Sequence, residues 1–230
     1  MLRFPLFLLA ASLIGWAATA PAAPQPFAAL PNGALAFKSV VSIRERRFIH
    51  LVEQRTDFSC GAAAMASLLN AAYGQNLGEE DVIQGMLAES DPDLVRTQGF
   101  SMLDMKRYAA TLGLRARGYR LDAARLDSIK VPTIVLLDIR GYKHFVLLLR
   151  SSSGWVYIGD SVLGHKKMRL DEFEKGWNGI VLALIGNGYN RNNVLLSPPE
   201  PLTARDRLNR FSPVKDAELM EFGFLHSEFF

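Results

Sequence analysis

The sequence predicts an α+β domain in which the helices come first and an antiparallel sheet follows. Two observations predict this order. Helix-favouring segments with start and stop signals fill the first half, whereas short apolar, β-branched runs separated by turn residues fill the second half. The chain of 230 residues gives room for one core of ordinary size plus a tail, so a second full domain is not expected.

Residues 1–23 have the three parts of a secretory signal peptide. Arg3 precedes an apolar run over residues 6–16, and Ala20 with Ala22 suits cleavage before Ala23. The apolar run is shorter than a membrane-spanning helix requires. We therefore expect export to a bacterial periplasm, with a membrane tether only if the segment stays uncleaved.

The remaining chain is expected to have three parts. Proline-rich residues 24–35 are typical of a flexible lead-in, residues 36–186 carry the alternating and helical patterns of a domain, and residues 187–230 combine a linker with a charged, Phe-rich tail. The net charge of +3 includes Arg3, so the domain is only mildly basic. Arg44, Arg46 and Arg47 are interrupted by Glu45 and are expected on the wet face of a strand, which gives no case for a nucleic-acid partner.

The expected helices are bounded by recognisable capping and stop residues. Gly74 stops the first, acidic residues open the second, and a capping box at Ser101 opens the third, which Gly113 ends. The expected helices cover 59–73, 79–88, 101–113, 121–129 and 170–176.

The expected strands follow apolar and β-branched runs. Two short strands are expected within 36–52, and later ones over 114–121, 133–139, 143–150, 155–159 and 180–185. Short turn segments separate 133–139, 143–150 and 155–159, which predicts an antiparallel meander.

The chain has a single cysteine, Cys60, at the start of the first predicted helix. Unpaired N–H groups and the helix dipole at that position favour the thiolate, which is the nucleophilic form. Gly61 is expected to keep the space beside the sulfur open. A lone cysteine cannot form an intramolecular disulfide, and it is often only a small buried hydrophobe. The catalytic interpretation therefore depends on partners elsewhere in the chain.

Thiol catalysis needs a base, a group that orients the base, and donors for the oxyanion. His144 lies at the start of the second meander strand, and Asp160 lies at the end of the third. A hairpin centred on Ser152 sets these two residues opposite each other, with Cβ atoms roughly 4.5–5.5 Å apart. A slip of one residue would place them on opposite faces.

Other residues compete for these roles. A turn centred on Gly141 would set Asp138 opposite His144, so Asp138 is a rival to Asp160. His165 is a second candidate base, although the neighbouring lysines are more typical of a solvated loop.

Gln54 is the candidate oxyanion donor. It lies six residues before Cys60. Its side-chain amide can turn back toward the sulfur and donate beside the Cys60 backbone N–H.

The segments around these residues resemble the bacteriocin-processing, double-glycine leader peptidase family of papain-like cysteine peptidases. The resemblance covers about residues 50–185, and its motifs at 54–64, 141–146, 159–160, 168–173 and 177–179 occur in the family's order. It implies a papain-like fold in which helices pack on a C-terminal antiparallel sheet. It also implies that Cys60 is the nucleophile, His144 the base, Asp160 the orienting acid and Gln54 the oxyanion donor.

Two departures from the family concern neighbours of these residues and remove no catalytic group. Ser59 stands where many members have an acid, and Ser161 where many have a proline. Members fused to transporters cut leader peptides in the cytoplasm. This chain is more similar to stand-alone exported members, some of which accompany functional-amyloid export systems.

The resemblance implies a peptide or protein substrate, with cleavage at a Gly-Gly type site as a further expectation. Two alternatives stay open, an acyl transferase using the same triad and a non-catalytic accessory or chaperone that binds an export client. Four histidines and one cysteine are scattered without ligand spacing, so no metal and no cofactor is expected.

Overall fold

The computed structural model describes residues 25–29, 35–38 and 42–201. The predicted signal segment and the tail beyond residue 201 lie outside these residues. The chain divides into two compact units, Met1–Ile43 and Arg44–Phe230. In the first unit, β1 (Gln25–Ala29) pairs antiparallel with β2 (Leu35–Lys38). A strand therefore occupies part of the segment predicted as a lead-in.

A short helix, α1 (Ile43–Arg47), replaces the second strand predicted within 36–52. That prediction is wrong, as is the placing of the arginines on the face of a strand. The segment consists of one isoleucine followed by arginine and glutamate, and these charged residues favour a helix over a strand.

The three long helices predicted in the first half of the domain are confirmed. They are α2 (Cys60–Tyr73), α3 (Glu79–Leu87) and α5 (Met102–Thr111). Gly74 ends α2 in the left-handed conformation with φ 67°, and Ser101 caps α5 through a capping box with Asp104.

An additional helix, α4 (Pro92–Gln98), was not predicted. Its start signals are present, because Asp91 caps it and Pro92 occupies its first position. Only Val95 is buried within it, so it lacks the apolar periodicity that identifies longer helices.

Among the described residues of the second unit, six antiparallel strands form one sheet in the order β3-β8-β4-β5-β6-β7. The strands are β3 (Arg115–Arg120), β4 (Thr133–Ile139), β5 (Tyr142–Ser152), β6 (Trp155–Asp160), β7 (Gly164–Arg169) and β8 (Trp177–Ile185). A 3₁₀ segment (Ala123–Ser128) and α6 (Leu170–Gly176) occupy the positions of the two short predicted helices, and a further 3₁₀ turn covers Val194–Leu196. The predicted meander is confirmed, whereas the edge strand β7 was not predicted.

The sheet has a hydrophobic cluster on each face. Along β5, Phe145 and Leu147 belong to the cluster that includes α2, α3 and α5, while Val146 and Leu148 belong to the cluster that includes Phe173 of α6. This alternation is what a strand buried on both sides requires. The predicted α+β class is confirmed. None of the described helices has the length and apolar character needed to cross a membrane.

Candidate active site

Cys60 is the first residue of α2, and it lines a cleft. The residue is 9% exposed. Because the first N–H groups of a helix have no partner within the helix, this end presents donors and a partial positive charge. The sulfur therefore has the helix-terminal position that the sequence predicts.

Gly61 has a different structural role from the expected one. A Cβ on Gly61 would lie 2.5 Å from Met105 Cε of α5 and 3.4 Å from Phe145 Cδ2 of β5. The absence of a side chain lets these elements pack closely against α2. The expectation that Gly61 keeps open space beside the sulfur is therefore wrong.

His144 and Asp160 form a buried pair. His144 Nε2 lies 3.0 Å from Asp160 Oδ1, and the two residues are 4% and 2% exposed. The same oxygen accepts hydrogen bonds from the backbone N–H groups of Val162 at 2.8 Å and Leu163 at 3.0 Å. These donors fix the carboxylate, and the carboxylate in turn orients the imidazole.

The register that brings this pair together differs from the predicted one. Leu147 pairs with Gly159, and nearer the turn Leu149 is an extra residue on β5, which forms a β-bulge. Continued by one pair, this register sets Asp160 diagonal to His144 on the same face. The predicted direct pairing is wrong, but the bulge corrects a slip of one residue that would otherwise separate the two side chains.

The charges of the site favour a protonated imidazole. Burial by itself lowers the pKa of His144, but hydrogen bonds to Asp160 and Cys60 and the charges of both residues outweigh it and raise the pKa from 6.5 to about 9. Burial raises the pKa of Asp160, but the hydrogen bond and charge of His144, with two backbone N–H donors, leave it below the ordinary 3.8. The pair is therefore an imidazolium and a carboxylate near neutral pH.

The second ring nitrogen of His144 faces a different neighbour. Nε2 is occupied by Asp160, and the buried Nδ1 has no hydrogen-bond partner of good geometry among the described residues. Cys60 nevertheless contributes a hydrogen bond of looser geometry and a charge that raise the pKa of His144. Loose contacts of this kind are common in catalytic pairs without substrate.

Tyr142 was not identified as a site residue from the sequence. Its ring stacks on the His144 ring with centroids 5.9 Å apart and an interplanar angle of 25°. Burial, followed by the charges of Cys60, Asp57 and Asp160, raises the pKa of Tyr142. Its position two residues before His144 in β5 places it on the same face of the strand, and this period-2 spacing is the signal that identifies it.

The structure separates the two alternative candidates from the pair. Asp138 pairs with Lys143, and its Oδ1 accepts a hydrogen bond from Gly141 N at 2.8 Å. His165 lies in β7, is 7% exposed, and its Nε2 lies 2.8 Å from Ile49 O. The prediction of a solvated loop around His165 is wrong, because the residue is buried in an edge strand.

Gln54 is held beside the His144–Asp160 pair. Its backbone N donates to Ser161 O at 2.9 Å, and its Oε1 accepts from Ser161 Oγ at 3.1 Å. Its Nε2 donates to Thr56 O at 2.5 Å. A primary amide carries two hydrogens on nitrogen, so this bond leaves one donor available.

The cleft beside Cys60 has a volume of about 730 Å³. Aromatic and apolar side chains line much of it, with Arg96 and Lys143 adding positive charge and Asp57 adding negative charge. The apolar and aromatic lining residues are Phe58, Phe100, Met102, Leu136, Tyr142 and Phe145. The cleft is therefore concave and largely apolar, with a few polar and charged groups at defined positions.

Two solved peptidase domains have a fold similar to that of this chain. The peptidase domain of Streptococcus ComA, a bifunctional ABC transporter of a quorum-sensing pathway, has a TM-score of 0.51 and 24% identity, covering 60% of this chain and 98% of that domain. A double-glycine-motif protease from an AMS/PCAT transporter, solved in complex with a leader peptide, has a TM-score of 0.50 and 27% identity, covering 58% of this chain and 89% of that one. The predicted papain-like fold is confirmed.

A relative of similar length has much higher identity. The chain is 66% identical over 212 residues to the probable functional amyloid protease FapD of Pseudomonas aeruginosa, with 92% of this chain and 94% of that protein covered. The model of the Peptidase C39 family matches residues 49–187, which is more than half of the chain. The resemblance identified from the sequence motifs is therefore confirmed, and the chain belongs to the Peptidase C39 family.

Proposed function

We propose that this chain is an exported cysteine endopeptidase of a functional-amyloid system, with Cys60, His144, Asp160 and Gln54 as its catalytic residues. The observation that carries this proposal is the buried His144–Asp160 pair beside the thiol of Cys60. A hydrogen-bonded imidazolium next to a cysteine at a helix N-terminus stabilises the thiolate, which attacks without further activation.

Each residue has a defined chemical role in the proposed reaction. The Cys60 thiolate adds to the scissile carbonyl carbon, and His144 then donates its proton to the leaving amine. Water, deprotonated by the neutral His144, attacks the resulting thioester and releases the acid product. Asp160 keeps the imidazole oriented and stabilises its protonated form in both steps.

The oxyanion of each tetrahedral intermediate needs hydrogen-bond donors. We assign this role to the Cys60 backbone N–H and to the remaining hydrogen of Gln54 Nε2. The bonds of Gln54 to Ser161 and Thr56 support this assignment, because they fix the amide before substrate binds.

Two relatives support the biological setting and the substrate class. The Pseudomonas aeruginosa relative is named as a probable functional amyloid protease, and the AMS/PCAT protease was solved in complex with a leader peptide. The signal-peptide pattern of residues 1–23 supports export. We therefore propose a peptide or protein of the amyloid system as substrate, cut at a Gly-Gly type site.

The proposed thiolate–imidazolium pair is tested by the pH dependence of Cys60 alkylation. Iodoacetamide reacts with the thiolate, so the rate measured against pH reports how much thiolate is present. We expect wild-type protein to react at pH 6 about tenfold or more faster than His144→Ala. Equal rates at every pH in the two proteins would contradict the proposal.

Peptide hydrolysis tests the activity itself. Peptides containing an internal Gly-Gly pair are incubated with wild type and Cys60→Ala, and products are identified by mass. We expect cleavage by the wild type alone. Products that form only when an amine is added would indicate an acyl transferase instead. Full biological function of Cys60→Ala would indicate a non-catalytic accessory.

A further inference from the structure

Glu79 is a buried carboxylate outside the set of catalytic residues. It is the first residue of α3 and is 8% exposed. Its Oε1 accepts hydrogen bonds from Arg55 N at 2.9 Å and Thr56 N at 3.4 Å, and its Oε2 accepts from Arg55 N at 3.1 Å. The hydroxyl of Ser59, which is fully buried, also donates to Oε1.

These contacts bind a segment that is distant in sequence. The donors belong to residues 55–59, which are 20 to 24 positions before Glu79. Burying a carboxylate is costly unless donors satisfy it, and here two backbone N–H groups and one hydroxyl do so. Glu79 also lies in the first turn of α3, where the helix dipole favours a negative charge.

The bound segment connects the two proposed oxyanion donors. Gln54 precedes it directly, and Cys60 follows it directly. The Gln54 side chain bonds to Thr56 O, and the N–H of Thr56 faces Glu79. A shift of residues 55–59 would therefore change the position of the amide at one end and of the helix N-terminus at the other. Donors displaced by as little as about 1 Å lose much of their effect on a transition state.

We propose that Glu79 is a positioning residue that holds residues 55–59 so that Gln54 Nε2 and the Cys60 N–H converge on the oxyanion. This inference rests on the proposed function. Glu79 does not touch the sulfur or the imidazole in any described contact. Its main effect is thus on oxyanion stabilisation, because the His144 imidazolium that stabilises the thiolate does not contact it.

The experiment compares two reactions of the same thiol in the full chain. Alkylation by iodoacetamide is a displacement at carbon and creates no oxyanion. Reversible addition of a peptide aldehyde creates a hemithioacetal whose oxygen occupies the oxyanion site. In Glu79→Ala we expect aldehyde affinity and peptide kcat to fall by about tenfold to a hundredfold. The alkylation rate and its pH profile should stay at wild-type values.

Three variants and one control make the outcome decisive. Glu79→Gln keeps an acceptor at Oε1 but loses the charge, and Ser59→Ala removes the hydroxyl that contacts both Glu79 and Thr56 O. Both variants should lie between wild type and Glu79→Ala. These milder variants carry the test if Glu79→Ala does not fold. Glu80→Ala is the matched control, because Glu80 is an exposed carboxylate in the same turn that contacts only Gln84 in the described hydrogen bonds. It should behave as wild type.

Two results would overturn the inference. Aldehyde affinity that is unchanged in Glu79→Ala, Glu79→Gln and Ser59→Ala would remove the positioning role. Alkylation that slows in parallel with aldehyde binding would show that Glu79 supports the fold or the thiolate as a whole. Failure of the proposed function gives a different pattern, because wild-type protein would then neither bind the aldehyde nor show rapid alkylation.

Discussion

Sequence spacing favours Asp160 as the partner of His144 and leaves Asp138 as a rival, and in the structure the two carboxylates contact different groups. Asp160 contacts His144 and two backbone N–H groups, whereas Asp138 accepts a hydrogen bond from Gly141 in the β4–β5 turn. Only Asp160 can orient the proposed base.

We expect Asp160→Ala to lower kcat/KM by about a hundredfold or more, because the imidazole loses both its orientation and its stabilising charge. Asp160→Asn should fall between this variant and wild type, since an amide oxygen still accepts from Nε2. The high-pH limb of the pH profile of kcat/KM for Asp160→Asn should move to lower pH, because the charge that raises the pKa of His144 is gone. The measurement is kcat/KM for a peptide that the wild type cleaves, at about ten pH values between about pH 5 and pH 10.

Asp138→Ala is the matched control for this prediction. It removes one turn hydrogen bond worth about 1 kcal/mol and should leave kcat/KM and its pH profile close to wild type. Equal losses in Asp138→Ala and Asp160→Ala would show that the observed pairing does not govern the chemistry.

Residue types with specific chemistry could be identified from the sequence, whereas their tertiary partners could not. Residue type, order and hairpin spacing point to Cys60, His144 and Asp160, although the direct pairing assumed for His144 and Asp160 is wrong. Glu79 could be predicted only as an acid in the first turn of a helix, since its contacts to residues 55–59 depend on how α3 packs. The sequence predicts Tyr142 in a turn, although it begins β5 and stacks on His144.

At the scale of elements, the strongly periodic segments were predictable and the weakly apolar ones were not. α2, α3, α5 and the meander have clear caps, turns or apolar runs. The elements α4 and β7 bury little apolar surface of their own, so their hydrophobic pattern is weak. The β5–β6 register depends on the bulge at Leu149, and counting from an assumed turn centre cannot predict an extra residue.

The start of β7 depends on a glycine at the turn after Asp160. Gly164 has φ +78°, and a Cβ there would collide with the backbone carbonyl of Arg47. Gly154, in the β5–β6 turn, has φ +76°, but a Cβ there would meet nothing within 4 Å. A side chain at either glycine would therefore strain the backbone, but only a side chain at Gly164 would also collide with a neighbouring residue.

We expect Gly154→Ala to lower the free energy of unfolding by about 1–2 kcal/mol through the left-handed conformation alone. Gly164→Ala should lower the free energy of unfolding by about 2 kcal/mol more than Gly154→Ala does, because the backbone of residue 47 must move. Urea denaturation of both variants measures the difference. Equal losses in the two variants would show that segment 47–51 does not pack against β7 as described.

Gly164→Ala should also affect activity. Asp160 pairs with Gly164 across β6 and β7, so movement of this turn reaches the carboxylate that orients His144. We expect kcat/KM to fall in Gly164→Ala and to stay near wild type in Gly154→Ala, whose turn lies at the opposite end of β6.

At the scale of the second unit, the site lies where the helical layer meets one end of the sheet. Cys60 comes from α2, whereas His144 and Asp160 come from β5 and β6. Cys60 therefore meets the His144–Asp160 pair only when the helical layer packs on the sheet. This arrangement couples the protonation of the site to the stability of the whole unit.

The hydrogen bond and opposite charges of His144 and Asp160 predict a pH dependence of folding stability. The pKa of His144 rises from 6.5 to about 9 on folding, so its stabilising contribution is complete below pH 6.5 and is lost as pH rises through about 9. The pKa of Asp160 falls below 3.8, so its contribution is complete above that pH and is lost as pH falls through the folded pKa. The pair therefore stabilises the fold most between about pH 4 and pH 6.5.

We expect the difference in unfolding free energy between wild type and His144→Gln to shrink by up to roughly 3 kcal/mol from pH 6 to pH 9. Urea denaturation at several pH values measures both proteins. Taking the difference matters because burial lowers the pKa of His165, and this histidine contributes a stability that is lost as pH falls below its ordinary 6.5. The contribution of His165 to stability is the same in both proteins, so it cancels in the difference. A difference that stays constant from pH 6 to pH 9 would mean that folding does not raise the pKa of His144. The imidazole would then be largely neutral at neutral pH, and the site would lack the imidazolium that the proposed mechanism uses to stabilise the thiolate.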